Sequence, residues 1–177
     1  FISIDCGAPA DVSYTEPNTG IYYTSDAKFI NTGVSGTIAD EFRSNFWRPM
    51  WTVRSFPDGK RNCYKINITR GSKYLIRTRF LYGNYDGLHK LSLFDILLGA
   101  NWWGTVLVNS SSLAPWKEII YVPSLDYVQI CLVNTGHGTP FISAIELRTL
   151  TNDIYVPQFG SLQTYSRLDL GSSKIYY

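Results

Sequence analysis

Apolar and polar side chains alternate with a period of two along most of the chain. Phe1-Ile2-Ser3-Ile4-Asp5-Cys6 places Ile2, Ile4 and Cys6 on one face. Asn62-Cys63-Tyr64-Lys65-Ile66-Asn67-Ile68 does the same with Tyr64, Ile66 and Ile68, and Tyr127-Val128-Gln129-Ile130-Cys131-Leu132 gathers Val128, Ile130 and Leu132. Residues 141–148 alternate again. Successive Cβ atoms of a strand point to opposite sides of a sheet, so this pattern describes strands with one face on a core and the other toward water. Further strands are expected over residues 50–56, 73–82, 93–98, 103–108 and 117–122. Turn chemistry separates them at Pro57-Asp58-Gly59, Arg70-Gly71-Ser72, Asp86-Gly87, Gly99-Ala100-Asn101 and Gly136-His137-Gly138. Helical spacing occurs once, at Ile38, Phe42 and Phe46 behind a capping Thr37. It allows two turns at most, and a plain loop fits equally well. About nine short strands without a long helix predict an all-β fold, an antiparallel two-sheet jelly-roll-like sandwich. The pattern loosens after Leu150, where Thr151-Asn152-Asp153, Pro157, Gly160 and Gly171-Ser172-Ser173 are linker chemistry. A compact lobe is therefore expected over residues 1–150 and a connector over 151–177.

Composition narrows the classes. Of 177 residues, 45% are hydrophobic and 17% charged, which excludes intrinsic disorder. The net charge of +2 offers no basic footprint for nucleic acid. No apolar run reaches the length of about 18 residues that a membrane span needs. The chain opens and ends inside strand-like alternation, Lys174-Ile175-Tyr176-Tyr177 at the end, and has no initiator Met. It reads as a piece of a longer protein, with any membrane anchor in the parent.

A search for catalytic chemistry finds little. His89 and His137 sit beside turn glycines, and neither belongs to H-E-x-x-H; no G-x-S-x-G elbow is present. Asp58, Asp86, Asp95 and Glu146 are the acids near strands and turns, and nothing pairs them as a hydrolytic dyad. No C-x-x-C occurs. Accordingly no catalytic residue, cofactor or metal site is expected. The aromatics are more informative: Tyr22-Tyr23, Tyr82, Tyr85 and Trp102-Trp103 read as lying in or beside turns. There they either cap the open ends of the sandwich or contact a ligand.

Phase along the strands also sorts the cysteines. Cys6 shares the inward face of Ile2 and Ile4 and is expected as a buried free thiol. Cys63 is in phase with Lys65 and Asn67, and Cys131 with Gln129, so both point away from the core. If a bridge exists, Cys63–Cys131 is the expected pair. Asn67-Ile68-Thr69 and Asn109-Ser110-Ser111 fit the N-glycosylation sequon, and both asparagines are expected at the surface.

Four blocks carry a family resemblance. F-I-S-I-D-C-G at 1–7, S-F-P-D-G-K-R-N-C-Y at 55–64, Y-L-I-R-T-R-F-L-Y-G-N-Y-D-G at 74–87 and V-Q-I-C-L-V-N-T-G-H-G-T-P-F-I-S-A-I-E-L-R at 128–148 together resemble the malectin-like ectodomain of plant leucine-rich-repeat receptor kinases. The resemblance implies the first of two tandem lobes, followed in the parent by leucine-rich repeats, one membrane span and a cytoplasmic serine/threonine kinase. It implies the outer face of the plant plasma membrane and glycosylation at Asn67 and Asn109. The family's namesake, an animal lectin of the endoplasmic reticulum, reads glucosylated glycans with loop tyrosines, a Tyr-Phe pair and an aspartate. Here that pair falls at Asn84-Tyr85, Tyr22 or Tyr23 matches a loop tyrosine, and the aspartate falls near Gly138, with no acid between Gln129 and Ile145. The expected site is a non-catalytic recognition surface on the turns that carry Tyr22, Tyr23, Asn84, Tyr85, Trp102 and Trp103, gathered at one end of the sandwich. Its expected ligand is a peptide, a protein partner or a co-receptor; the alternative is a lectin-like module for cell-wall glycans.

Overall fold

Wherever the alternation is strong, the chain forms sheet. The computed structural model describes residues 1–151, 153–155 and 161–164. Among them run fourteen strands: β1 (Ile2–Asp5), β2 (Ser13–Thr15), β3 (Tyr22–Ser25), β4 (Val34–Thr37), β5 (Thr52–Ser55), β6 (Arg61–Asn67) and β7 (Lys73–Arg79). They are followed by β8 (Leu93–Leu98), β9 (Asn101–Leu107), β10 (Trp116–Tyr121), β11 (Tyr127–His137), β12 (Phe141–Ile142), β13 (Ala144–Leu150) and β14 (Ser161–Gln163). The fold is all-β, as the alternation predicts, but it has three hydrogen-bonded sheets where two were expected. One is seven-stranded in the order β14-β10-β7-β13-β1-β3-β2, one four-stranded, β6-β11-β8-β9, and one three-stranded, β12-β5-β4. Pairing is antiparallel except for β1 and β3, which run parallel.

The additional strands are the short ones. β2, β3, β4 and β12 have two to four residues, too few to show a period. β14 lies beyond Leu150 and pairs with β10, so the seven-stranded sheet continues past the expected end of the lobe. The rest of the expected connector, residues 152, 156–160 and 165–177, lies outside the described residues, as does the strand expected at Lys174–Tyr177. The helical spacing yields only α1 (Asp40–Arg43), capped by the backbone of Ala39 without a side-chain hydrogen bond. Thr37 instead closes β4, and Ile38 turns into the core.

One core joins the sheets: Ile4, Ile76 and Ile145 from the seven-stranded sheet meet Tyr64, Phe94 and Ile130 from the four-stranded one and Val53 and Phe141 from the third. Removing such side chains from water, at about 25 cal/mol per Å², is what drives the layers together. A buried carboxylate fastens one corner. Asp26 accepts from Gly7 N–H at 3.0 Å, Tyr64 Oη at 2.9 Å, Arg54 Nε at 2.8 Å and Arg54 Nη2 at 2.6 Å. Gly7 makes this possible. Its φ is +84°, and a Cβ there would stand 2.1 Å from the Val53 carbonyl oxygen. The D-C-G block is thus a packing requirement.

Candidate recognition site

The six expected contact residues divide by burial. Tyr22 is 56% and Trp102 65% exposed, whereas Tyr23 is 2% and Trp103 3% exposed. Neither pair lies in a turn: Tyr22 and Tyr23 belong to β3, Trp102 and Trp103 to β9. The pleat sends the two members of each pair to opposite faces, one of them covered. Tyr23 and Trp103 are therefore corrected to packing residues. Tyr23 Oη donates to Glu146 Oε1 at 2.7 Å and its ring stacks on Tyr14 at 5.9 Å between centroids. Burial, then the neighbouring Glu146, pushes its hydroxyl pKa well up.

Tyr23 belongs to a polar row across the non-core face of the seven-stranded sheet. In register, Glu118 stands opposite Arg77, Arg77 opposite Glu146, and Glu146 opposite Ser3. Arg77 Nε and Nη2 each lie 2.5 Å from Glu118 Oε1, while Arg77 Nη1 lies 3.5 Å from Glu146 Oε2, ion-pair distance but long for a hydrogen bond. Arg148 Nη2 reaches the same Glu146 oxygen at 3.1 Å. The face is covered. The Trp47 ring lies under the Arg79 guanidinium at 4.9 Å, Arg48 lies over Tyr14 at 3.7 Å, and Lys73 Nζ donates to Ile154 O at 2.6 Å. Nearby, the Asp5 carboxylate is 3% exposed and accepts from Tyr14 Oη at 2.7 Å and from Thr52 Oγ1. Both donors are neutral. Burial drives its pKa up to about 7, the two hydroxyls and Arg48 opposing and Asp26 reinforcing the shift.

Asn84 and Tyr85 sit in a tight loop, residues 82–90, that its own side chains hold. Buried Tyr82 donates to Asp86 Oδ1 at 2.6 Å and accepts from Lys90 N–H at 3.0 Å. Burial and Asp86 raise its pKa to about 12. Asn84 Oδ1 accepts from His89 N–H at 3.0 Å, and its amide nitrogen stands 3.2 Å from His89 Nε2. Asn84 and His89 both have φ of +51°, a left-handed conformation uncommon outside glycine, which these bonds maintain. Tyr85 is half-buried, its ring 5.4 Å from those of Tyr82 and Phe141. The loop displays Leu88 at 70% exposure. Gly138, near which the lectin's aspartate falls, packs on the residues just after the loop: with φ +90°, a Cβ there would lie 2.8 Å from Ser92 Oγ and 3.0 Å from Leu91 O. Its positive φ and these close contacts disfavour any side chain at that position.

The six residues do not gather at one end. Loop 82–90 precedes β8, whose first residue pairs with Leu107, while Trp102 pairs with Leu97 near the far end of the same hairpin. Tyr22 is on another sheet. Sequence reasoning missed Leu88 and read His89 only as a loop histidine, though the N-Y-D-G-L-H run marked a turn.

The cysteines are placed by register. Cys63 and Cys131 stand opposite each other on β6 and β11 and form a disulfide, with Cα atoms 4.0 Å apart. Both point away from the core, as their phase predicts; Cys131 is nevertheless fully buried and Cys63 half-buried. Arg61 Nη2 covers Cys131, donating to its Sγ at 3.3 Å and to Gly99 O at 2.7 Å. Cys6 is a buried free thiol with its pKa pushed well up by burial and by Asp26. Asn67 and Asn109 are exposed. No group of three or more metal-ligating side chains, and no helix long and apolar enough to cross a membrane, occurs among the described residues.

Known proteins resemble the chain in sequence and in fold. The chain is 49% identical over 173 residues to the LRR receptor-like serine/threonine-protein kinase IOS1 of Arabidopsis thaliana, covering 98% of this chain and 19% of that protein. It is 47% identical over 167 residues to the leucine-rich repeat receptor-like serine/threonine-protein kinase At2g14510 of the same plant, covering 93% and 19%. The chain thus spans about a fifth of the length of these relatives. Its fold matches the ANX2 ectodomain of Arabidopsis thaliana with a TM-score of 0.70 at 22% identity, over 85% of this chain and 42% of that one. A structure of the plant peptide RALF23 in complex with FER and LLG2 matches with a TM-score of 0.64 at 19% identity, over 87% and 40%. The family model of the malectin-like domain matches residues 4–177, and the chain belongs to the malectin-like family.

Proposed function

We propose that this lobe is a non-catalytic recognition module on the extracellular face of the plasma membrane, in a plant receptor serine/threonine kinase, and that it senses a peptide, a protein partner or a co-receptor. The observation that carries this reading is the loop at residues 82–90. It is fixed internally by Tyr82, Asn84 and Asp86 and presents Leu88 to solvent, and just after it Leu91 and Ser92 pack on Gly138, whose positive φ and close contacts disfavour a carboxylate side chain. A preorganised loop with an exposed apolar side chain suits a protein surface. A saccharide site needs convergent polar groups to hold hydroxyls. The solved relative that holds a peptide and a second protein supports the same direction. In the parent, residues 151–177 lead toward a second lobe while contributing β14 to this one, and Asn67 and Asn109 carry glycans, which a mass shift after glycosidase treatment checks.

A carbohydrate reading has one observation in its favour, the exposed indole of Trp102 on β9, a surface on which a pyranose can stack. The complete ectodomain separates the two. Calorimetry with cellulose-like and maltose-like oligomers should give no heat. A partner recovered from plant membranes should bind the Leu88→Asp variant at least about tenfold more weakly, a loss of roughly 1.4 kcal/mol, with the melting temperature unchanged. Saturable sugar binding abolished by Trp102→Ala or Tyr85→Ala would establish the lectin reading instead.

A further inference from the structure

We propose that Cys63–Cys131 is a thiol–disulfide exchange site for small extracellular thiols of the glutathione class, attacked at Cys63 with Cys131 as the leaving group. It lies on a different surface from loop 82–90 and does not depend on the ligand reading.

Three independent features converge. The first is an asymmetry of access: Cys131 is fully buried and Cys63 half-buried, so a thiolate reaches Cys63 Sγ first. The second is the approach line. Exchange requires the nucleophile to arrive opposite the departing sulfur. β6 is the outermost strand of its sheet, so the line from Cys131 through Cys63 runs toward the sheet edge, which meets no further strand of that sheet but only the segment at Phe29, whose carbonyl accepts from Lys65 N–H at 2.9 Å. The third is the leaving group. Arg61 Nη2, steadied by Gly99 O at 2.7 Å, donates to Cys131 Sγ at 3.3 Å. A guanidinium there stabilises a thiolate and makes this sulfur the better leaving group.

The chemistry balances without any other co-reactant. A thiolate R–S⁻ donates its electron pair to Cys63 Sγ; the Cys63–Cys131 bond breaks, and its pair leaves on Cys131 Sγ beside Arg61. The products are a mixed disulfide at Cys63 and a thiolate at Cys131. A second R–S⁻ attacks the small-molecule sulfur of the mixed disulfide and releases Cys63 as thiolate with R–S–S–R. In sum, two thiols are oxidised to one disulfide and the protein disulfide is reduced. What opens is a covalent tie across 68 residues of sequence, while the β6–β11 ladder keeps its hydrogen-bonded register.

Cys6 supplies an internal control, because it is buried in the core and reacts only if the lobe unfolds. The complete chain, disulfide intact, is incubated in millimolar reduced glutathione, quenched with acid, alkylated and mapped by mass spectrometry. The expected result is a glutathione adduct on Cys63, alkylation on Cys131 and an unreacted Cys6. Arg61→Gln should slow adduct formation by about threefold or more, and Arg61→Lys should restore part of the rate. An adduct on Cys131, or Cys6 reacting as fast as Cys63, overturns the proposal. So does an unchanged rate in a folded Arg61→Gln protein. Should that variant fail to fold, the adduct position and Cys6 protection in the unsubstituted chain decide alone.

Discussion

On the seven-stranded sheet, the side chains pointing away from the core form the row Glu118, Arg77, Glu146, Ser3, with Tyr23 bonded into it. On the four-stranded sheet, the corresponding row is Cys63, Cys131, Leu97, Trp102. The charged row is buried, whereas the apolar row ends in the exposed indole of Trp102. Ordinary expectation has it reversed, with charges outside and apolar groups inside. The difference is in what lies over each sheet. The segment between β4 and β5, through Trp47 and Arg48, and residues after β13, through Ile154, cover the seven-stranded sheet. Charges under such a cover persist only by pairing, and Arg77 provides that by reaching two carboxylates at once. The four-stranded sheet leaves its outer face to water, to the disulfide and to any partner.

Arg77 is the sharpest place to break this contrast. Arg77→Met leaves Glu118 and Glu146 buried without their shared cation, and should cost about 3–5 kcal/mol of unfolding free energy in a urea titration. A loss below about 1 kcal/mol would show that water reaches the row and that the two faces do not differ as described.

Asp5 gives the next effect, through pH. Its folded pKa of about 7 lies above the ordinary value of 3.8. Between those values the folded chain holds a proton that the unfolded chain has lost. Its contribution is therefore fully present below about pH 4, falls as pH rises toward 7, and is absent above that, a change of about 2–4 kcal/mol. Melting curves from pH 4 to 8 for the wild type and Asp5→Asn should show the variant gaining relative stability as pH rises. Parallel curves would mean that Asp5 is solvated.

Smaller again is Tyr23→Phe, which removes one hydroxyl from buried Glu146 and should destabilise by about 2 kcal/mol. Trp102→Ala, on the open face, should change stability by no more than about 0.5 kcal/mol. Equal effects from these two would erase the distinction between a covered and an open face. A loss of partner or sugar binding in Trp102→Ala alone would identify the open face as a contact surface.

Period-two alternation by itself determined the sheet class, the inward set Ile4, Tyr64, Ile66, Ile130 and Ile145, and the shared phase of Cys63 and Cys131, because one buried face shows its period wherever alternation runs over six or more residues, as it does over residues 1–6 around the four-residue β1. Short strands escaped it: β3 has four residues, and Tyr22-Tyr23 gives no phase. Adjacent aromatics on a strand must point opposite ways, but which one is buried is set by the neighbours. Glu146 and Tyr14 bury Tyr23 on the covered, non-core face of its sheet, and a bulge at Ile96/Leu97 leaves Trp102 exposed and Trp103 in the core. Nor does sequence distance state that Asp26 meets Arg54 and Tyr64, that Arg77 joins Glu118 to Glu146, or that Arg61 covers Cys131. Local pattern reports only whether a side chain leaves its strand toward one face or the other. Whether that face then meets water, a covering segment or a charge of opposite sign depends on contacts between residues distant in the chain, and those arise only when the sheets and their covers pack.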